Sequence, residues 1–134
     1  MLPLTITPLY AALLGLIYFI LSFRIPRLRM KHQVGLGEST IPALQRAVRV
    51  HGNFAEYVPF CLLLIAFVEG GGYSAWFVHL LGLTLLVARL LHAHGLSRSS
   101  EYSPGRFMGT LLTLSVLSIS SLLVLIHTLG GYLK

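Results

Sequence analysis

Apolar residues along this chain come in four long runs separated by short polar breaks. The runs cover approximately residues 4–23, 44–68, 75–91 and 107–129. Each approaches the roughly 20 residues that an α-helix needs to cross about 30 Å of hydrocarbon. The runs lack the in–out alternation of a membrane β-strand, and unpaired backbone groups in lipid are prohibitively costly, so helices are expected. The pattern predicts an all-α fold: an integral membrane four-helix bundle forming a single domain over residues 1–134.

The breaks carry the topology. Arg24, Arg27, Arg29 and Lys31 follow directly on the first run. No basic segment precedes that run and no small-residue cleavage site follows it, so it reads as a retained span and not a signal peptide. The third connection holds Arg98 and Arg106, with Arg89 at the end of the third run. The second connection, Glu69-Gly70-Gly71-Gly72-Tyr73, has no Lys or Arg. Positive-inside reasoning then places loops one and three in the cytoplasm and both termini outside, in the cell's inner membrane. Ser39-Thr40-Ile41-Pro42 and Ser103-Pro104-Gly105 read as helix starts, and Gly35-Leu36-Gly37 and Gly70-Gly71-Gly72 as turns.

Composition supports the same picture. The chain is 55% hydrophobic and only 10% charged, where a soluble domain carries about 25% charged residues. The net charge of +6 lies mainly in the loops between apolar runs, so it argues for topology and against a nucleic-acid partner. The lone Cys61 lies within an apolar run, where it reads as a small buried residue. No metal site is expected, because His92 and His94 diverge on a helix.

The second run carries the polar exception. At 100° per residue, Arg46, Arg49, Asn53 and Glu56 fall within about 80° of one another. Charge at the bilayer centre costs at least about 2.5–3.5 kcal/mol, so this ribbon must face protein or a water-filled pocket. Two arginines, an amide and one carboxylate fit an anionic ligand that also carries an amine. Self-neutralisation within the helix, with Arg49 snorkelling to the surface, is the alternative. Pro59 frees the Ala55 carbonyl just beyond the ribbon and is expected to kink the helix. His51 points about 140° away from Arg46, as an interfacial histidine or a contact to a neighbouring subunit. Arg89 and His92 share a face of the third helix and, taken alone, read as solvated anchors at the membrane surface.

The segment Arg46-Ala-Val-Arg49-Val-His-Gly-Asn53-Phe-Ala-Glu56-Tyr57-Val-Pro59 resembles the second-helix signature of the MAPEG family, the membrane-associated proteins of eicosanoid and glutathione metabolism, in a bacterial-type member. Ala88-Arg89-Leu-Leu-His92-Ala-His-Gly95 looks like the end of the family's third helix. The resemblance implies a homotrimer that binds glutathione, as co-substrate, between subunits near the cytoplasmic side. It implies that Arg49, Asn53, Glu56 and Tyr57 hold the glutathione, with Glu56 meeting its amino group. His51 and Arg29 or Arg27 would reach it from the adjacent subunit, and Arg46 and His92 join the candidate set.

The chemistry implied is activation of the glutathione thiol by an arginine and attack of the thiolate on a lipophilic electrophile or hydroperoxide. The resembled enzymes carry the activating arginine near the start of the fourth helix, where this chain has Ser103 with Arg106 one turn on. The role is therefore open among Arg106, Arg98 and Arg89. Family tyrosines near the end of the third helix are replaced by His92 and Leu96. A glutathione transferase or peroxidase is the leading reading, and an inactive binding or interaction protein of the same fold is the second. A small transporter is the third, disfavoured because the outer halves of the helices carry almost no polar residues beyond Ser and Thr.

Overall fold

The computed structural model describes residues 4–37, 40–98 and 101–132 as four helices, with no strand among them. They are α1 (Thr7–His32), α2 (Pro42–Gly70), α3 (Ala75–Arg98) and α4 (Pro104–Tyr132). All four are long and apolar enough to cross a membrane. We call the end that gathers the α1–α2 and α3–α4 connections the basic end of the bundle.

The helices outrun the apolar runs, most of all at that end. α1 continues through Arg24, Pro26, Arg27 and Arg29 to His32. Cations in a last turn offset the negative end of the helix dipole, and Arg29, Lys31 and His32 occupy that turn. The helix ends at Gln33, whose left-handed backbone (φ 55°) turns its N–H onto the Arg29 and Met30 carbonyls. α2 opens with Pro42 in its first turn after Ile41, which supplies no side-chain cap. Ser39, expected near that cap, lies outside the described residues. α2 runs through Pro59 to the outer hairpin, where Gly72 takes φ 82°.

α2 is the central stave. It packs against α1, α3 and α4, whereas α1 does not touch α4 among the described residues. The core runs along its inner face, with Phe54, Val58, Cys61, Ile65 and Val68 meeting Leu14 of α1, Val78, Leu81 and Leu85 of α3 and Val116 of α4. Two glycines set how closely the helices approach. A Cβ on Gly82 would fall within the Tyr10 ring, and one on Gly109 would lie 2.5 Å from the Ala88 carbonyl oxygen. α1 leaves Leu9, Leu13, Leu16, Ile20 and Phe23 exposed, the residues expected to meet lipid.

Glu69, which the sequence places beside a loop, is buried (7% exposed) at the end of α2. Its carboxylate accepts the backbone N–H groups of Thr5, Ile6 and Thr7, each at 2.7 Å. The first turn of α1 holds no acid and its N-cap Ile6 donates no side chain. Glu69 therefore serves as the cap, reaching across from the next helix.

Candidate functional site: an arginine-lined cavity at the basic end

The helical period of α2 puts Pro42, Gln45, Arg46, Arg49 and Asn53 on one side of that helix. In the structure they line a cavity of about 400 Å³, closed on its other side by His92 and Leu96 of α3 and Arg106 of α4. A cavity of this volume falls within the range of small-molecule sites. Among the described residues its lining carries three guanidinium groups and no carboxylate, so the field they set up inside favours an anion. α3 and α4 hold their share rigidly: a Cβ on Gly95 would lie 2.7 Å from the Arg106 backbone nitrogen, and one on Gly109 2.7 Å from the His92 nitrogen.

Behind this wall stands Arg89. The surface-anchor reading of Arg89 and His92 is corrected here, since Arg89 is 1% exposed and His92 5%. The bundle wraps the guanidinium, so it is solvated by protein. Arg89 Nη2 donates to Asn53 Oδ1 at 2.8 Å. The cation also lies 5.4 Å from the Phe54 ring centre and 5.9 Å from that of Tyr57, close enough for attraction to the π faces. Asn53 thus has its carbonyl engaged by Arg89, which fixes how its amide presents to the cavity.

Three buried polar atoms in this region have no hydrogen-bond partner among the described residues: Arg46 Nε, His92 Nδ1 and Arg89 Nε. The first two belong to residues that line the cavity, and the third stands behind it. Leaving such atoms unpaired costs about 1–3 kcal/mol each, so a ligand that meets them recovers that cost.

The other sequence candidates are distributed around this centre. Glu56 is on the same side of α2 but exposed, outside the cavity lining. Tyr57 is half-buried over Arg89. His51 belongs to the α1–α2 seam, where it stacks on Tyr18 (4.8 Å between centroids, 19°) and pairs with Ser22 Oγ at 3.1 Å. Arg29 donates to the Gly35 carbonyl at the end of α1, and Arg98 is exposed at the end of α3. Gln45 and Pro42 were missed. At 100° per residue Pro42 falls inside the arc of Arg46, Arg49 and Asn53, and Gln45 lies about 40° beyond its Arg49 edge, so the helical wheel held the signal for Pro42 and only a weaker one for Gln45.

The sequence profile of the MAPEG family matches residues 7–126. The chain belongs to the MAPEG family. The chain is also similar to the inner membrane protein YecN of Escherichia coli strain K12, 41% identical over 90 residues, covering 67% of this chain and 69% of YecN. The YecN of Escherichia coli O6:H1 strain CFT073 matches with the same identity and coverage. With four membrane-long helices, this MAPEG chain is a multi-pass inner membrane protein. The family match covers α1, α2 and α3 and α4 as far as residue 126, including the segments that build the cavity.

Proposed function

We propose that the cavity at the basic end binds glutathione and that the protein is a glutathione-dependent transferase or peroxidase acting on lipophilic electrophiles. One observation carries this reading: a cavity at the basic end of a membrane-spanning bundle, lined by Arg46, Arg49 and Arg106 and by no carboxylate among the described residues, holds two buried polar atoms without hydrogen-bond partners there. Glutathione brings two carboxylates for the guanidinium groups, an amide backbone for Asn53 and Gln45, and a thiol. Its cationic amine calls for a carboxylate, and Glu56 stands two turns along α2 from Arg49 on the same face. Glu56 is exposed in one protomer, at a depth where lipid contact is costly. A homotrimer that covers Glu56 and delivers Arg29 from the adjacent protomer fits both facts. The basic end then faces the cytoplasm, where glutathione is met.

Among the three arginines considered for thiol activation, Arg106 fits best. It belongs to the cavity lining, whereas Arg89 stands behind the wall and Arg98 lies outside it. The guanidinium of Arg106 stabilises the thiolate over the thiol, and the sulfur attacks an electrophile entering from the bilayer, expelling its leaving group. The protein contributes charge and orientation and forms no covalent intermediate.

Binding is tested by calorimetry on purified protein in detergent, with R49A and E56Q beside wild type. R49A is expected to weaken glutathione binding about 10- to 100-fold, the range for losing a charge-assisted contact. No wild-type binding at millimolar ligand ends the proposal, and a monomeric mass in solution removes the inter-subunit part. A second reading, binding without turnover, is favoured by the apolar Leu96 in the lining, where the resembled enzymes have tyrosine. Binding without conjugation of any electrophile would select it.

A further inference from the structure

We propose that α1 carries a docking site for one anionic phospholipid at the basic end of the bundle, separate from the arginine-lined cavity. An open groove of about 460 Å³ is lined by Ile20, Phe23, Arg24, Arg27, Leu28 and Lys31. The three cations occupy positions i, i+3 and i+7, one face of the helix. Ile20 and Phe23 lie on that face one to two turns deeper and are exposed, and Leu16 continues the apolar line into the membrane. The site thus pairs a three-cation collar with an apolar track along the same helix. A phospholipid with a negative headgroup has that same division, phosphate at the surface and acyl chain below.

Two features separate this groove from a diffuse basic surface. Arg24 is held in place, its Nη1 donating to Ser97 Oγ at 3.1 Å at the end of α3. That leaves the rest of its planar donor fork for a phosphate. Arg29, the α1 arginine assigned to glutathione under the proposed function, projects about 160° round the helix from Arg27 and is engaged by the Gly35 carbonyl. The α1 cations therefore divide into two faces, and the groove takes Arg27, the other α1 arginine considered for glutathione, together with Arg24 and Lys31. Lipid headgroup sites formed by clustered basic residues beside a membrane helix follow the same physics.

Native mass spectrometry of the purified protein in detergent, titrated with phosphatidylglycerol or phosphatidylcholine, measures the site. Wild type is expected to retain phosphatidylglycerol at least about tenfold more tightly than phosphatidylcholine. R27Q/K31Q is expected to lose roughly 25-fold in that affinity, about fivefold per cation, while R27K/K31R retains it. R98Q removes one charge from the same end of the bundle and is expected to change nothing. Equal retention of the two lipids overturns the proposal, as does a loss in R98Q matching that of the double variant. Inorganic phosphate binding as tightly as the lipid also overturns it, because the apolar track then plays no part. Glutathione binding is not measured in any arm, so the result stands apart from the fate of the proposed activity.

Discussion

Replacing Glu69 by alanine removes the only cap on the first turn of α1 that the structure displays. Three backbone N–H groups, of Thr5, Ile6 and Thr7, lose an acceptor held at 2.7 Å. A hydrogen bond to a charged group contributes about 1.5–3 kcal/mol, but the three share one carboxylate and are not additive. Water at the membrane surface also takes up part of what is lost. A single cap residue contributes about 0.5–2 kcal/mol, so three N–H groups on one charge place the cost at about 3 kcal/mol. At roughly 2–4 °C per kcal/mol, the thermal midpoint in detergent should fall by about 10 °C. The sole tryptophan, Trp76, is at the start of α3 on the same end of the bundle, so its emission reports the transition. E69Q keeps an oxygen acceptor without the charge and should fall between wild type and E69A. A midpoint for E69A within about 1 °C of wild type would refute the claim that this carboxylate fastens α1.

Two other perturbations probe the wall of the cavity. N53A strips the acceptor from a guanidinium that is 1% exposed and should cost about 1.5–3 kcal/mol by thermal melting. The apolar pair N53L/R89M should restore much of that stability, since a buried polar pair is often replaceable by hydrophobic side chains, while abolishing glutathione binding. G109V forces a side chain against the Ala88 carbonyl and the His92 backbone. It should destabilise by about 1–3 kcal/mol and weaken ligand binding through the displacement of His92 and Arg106; unchanged melting would show that α3 and α4 have room to separate.

The number of helices and their order were legible in the sequence because hydropathy reports the thickness of the membrane. It does not report where a helix stops. α1 runs on to His32, well past the end of the apolar run near Phe23, because its terminal cations suit the helix dipole and water satisfies them. On α2 the spacing of Arg46, Arg49 and Asn53 was enough to put them on one side, since their neighbourhood is fixed by the 3.6-residue turn. Pairings between helices were not legible. Asn53 and Arg89 are 36 residues apart, and only the packing of α3 on α2 brings them together. Glu69 reached even further, to an N-terminus 62 to 64 residues away, with no local signal to distinguish it from a surface carboxylate. His51 illustrates the converse: its face was readable, but that the face would meet Tyr18 and Ser22 of α1 was not.

The buried Arg89 has a consequence for how the chain enters the bilayer during synthesis. It lies nine residues before the end of α3 at Arg98, about 13 Å along the helix axis, too deep for comfort in lipid on its own. The groups seen to hold it among the described residues, Asn53, Phe54 and Tyr57, all belong to α2, which leaves the ribosome first. The acceptor and both rings are therefore already in the membrane when the arginine arrives. α2 acts as an internal receptor for α3, and a chain with the two segments in the opposite order would have to strand that charge in lipid until its partners were made.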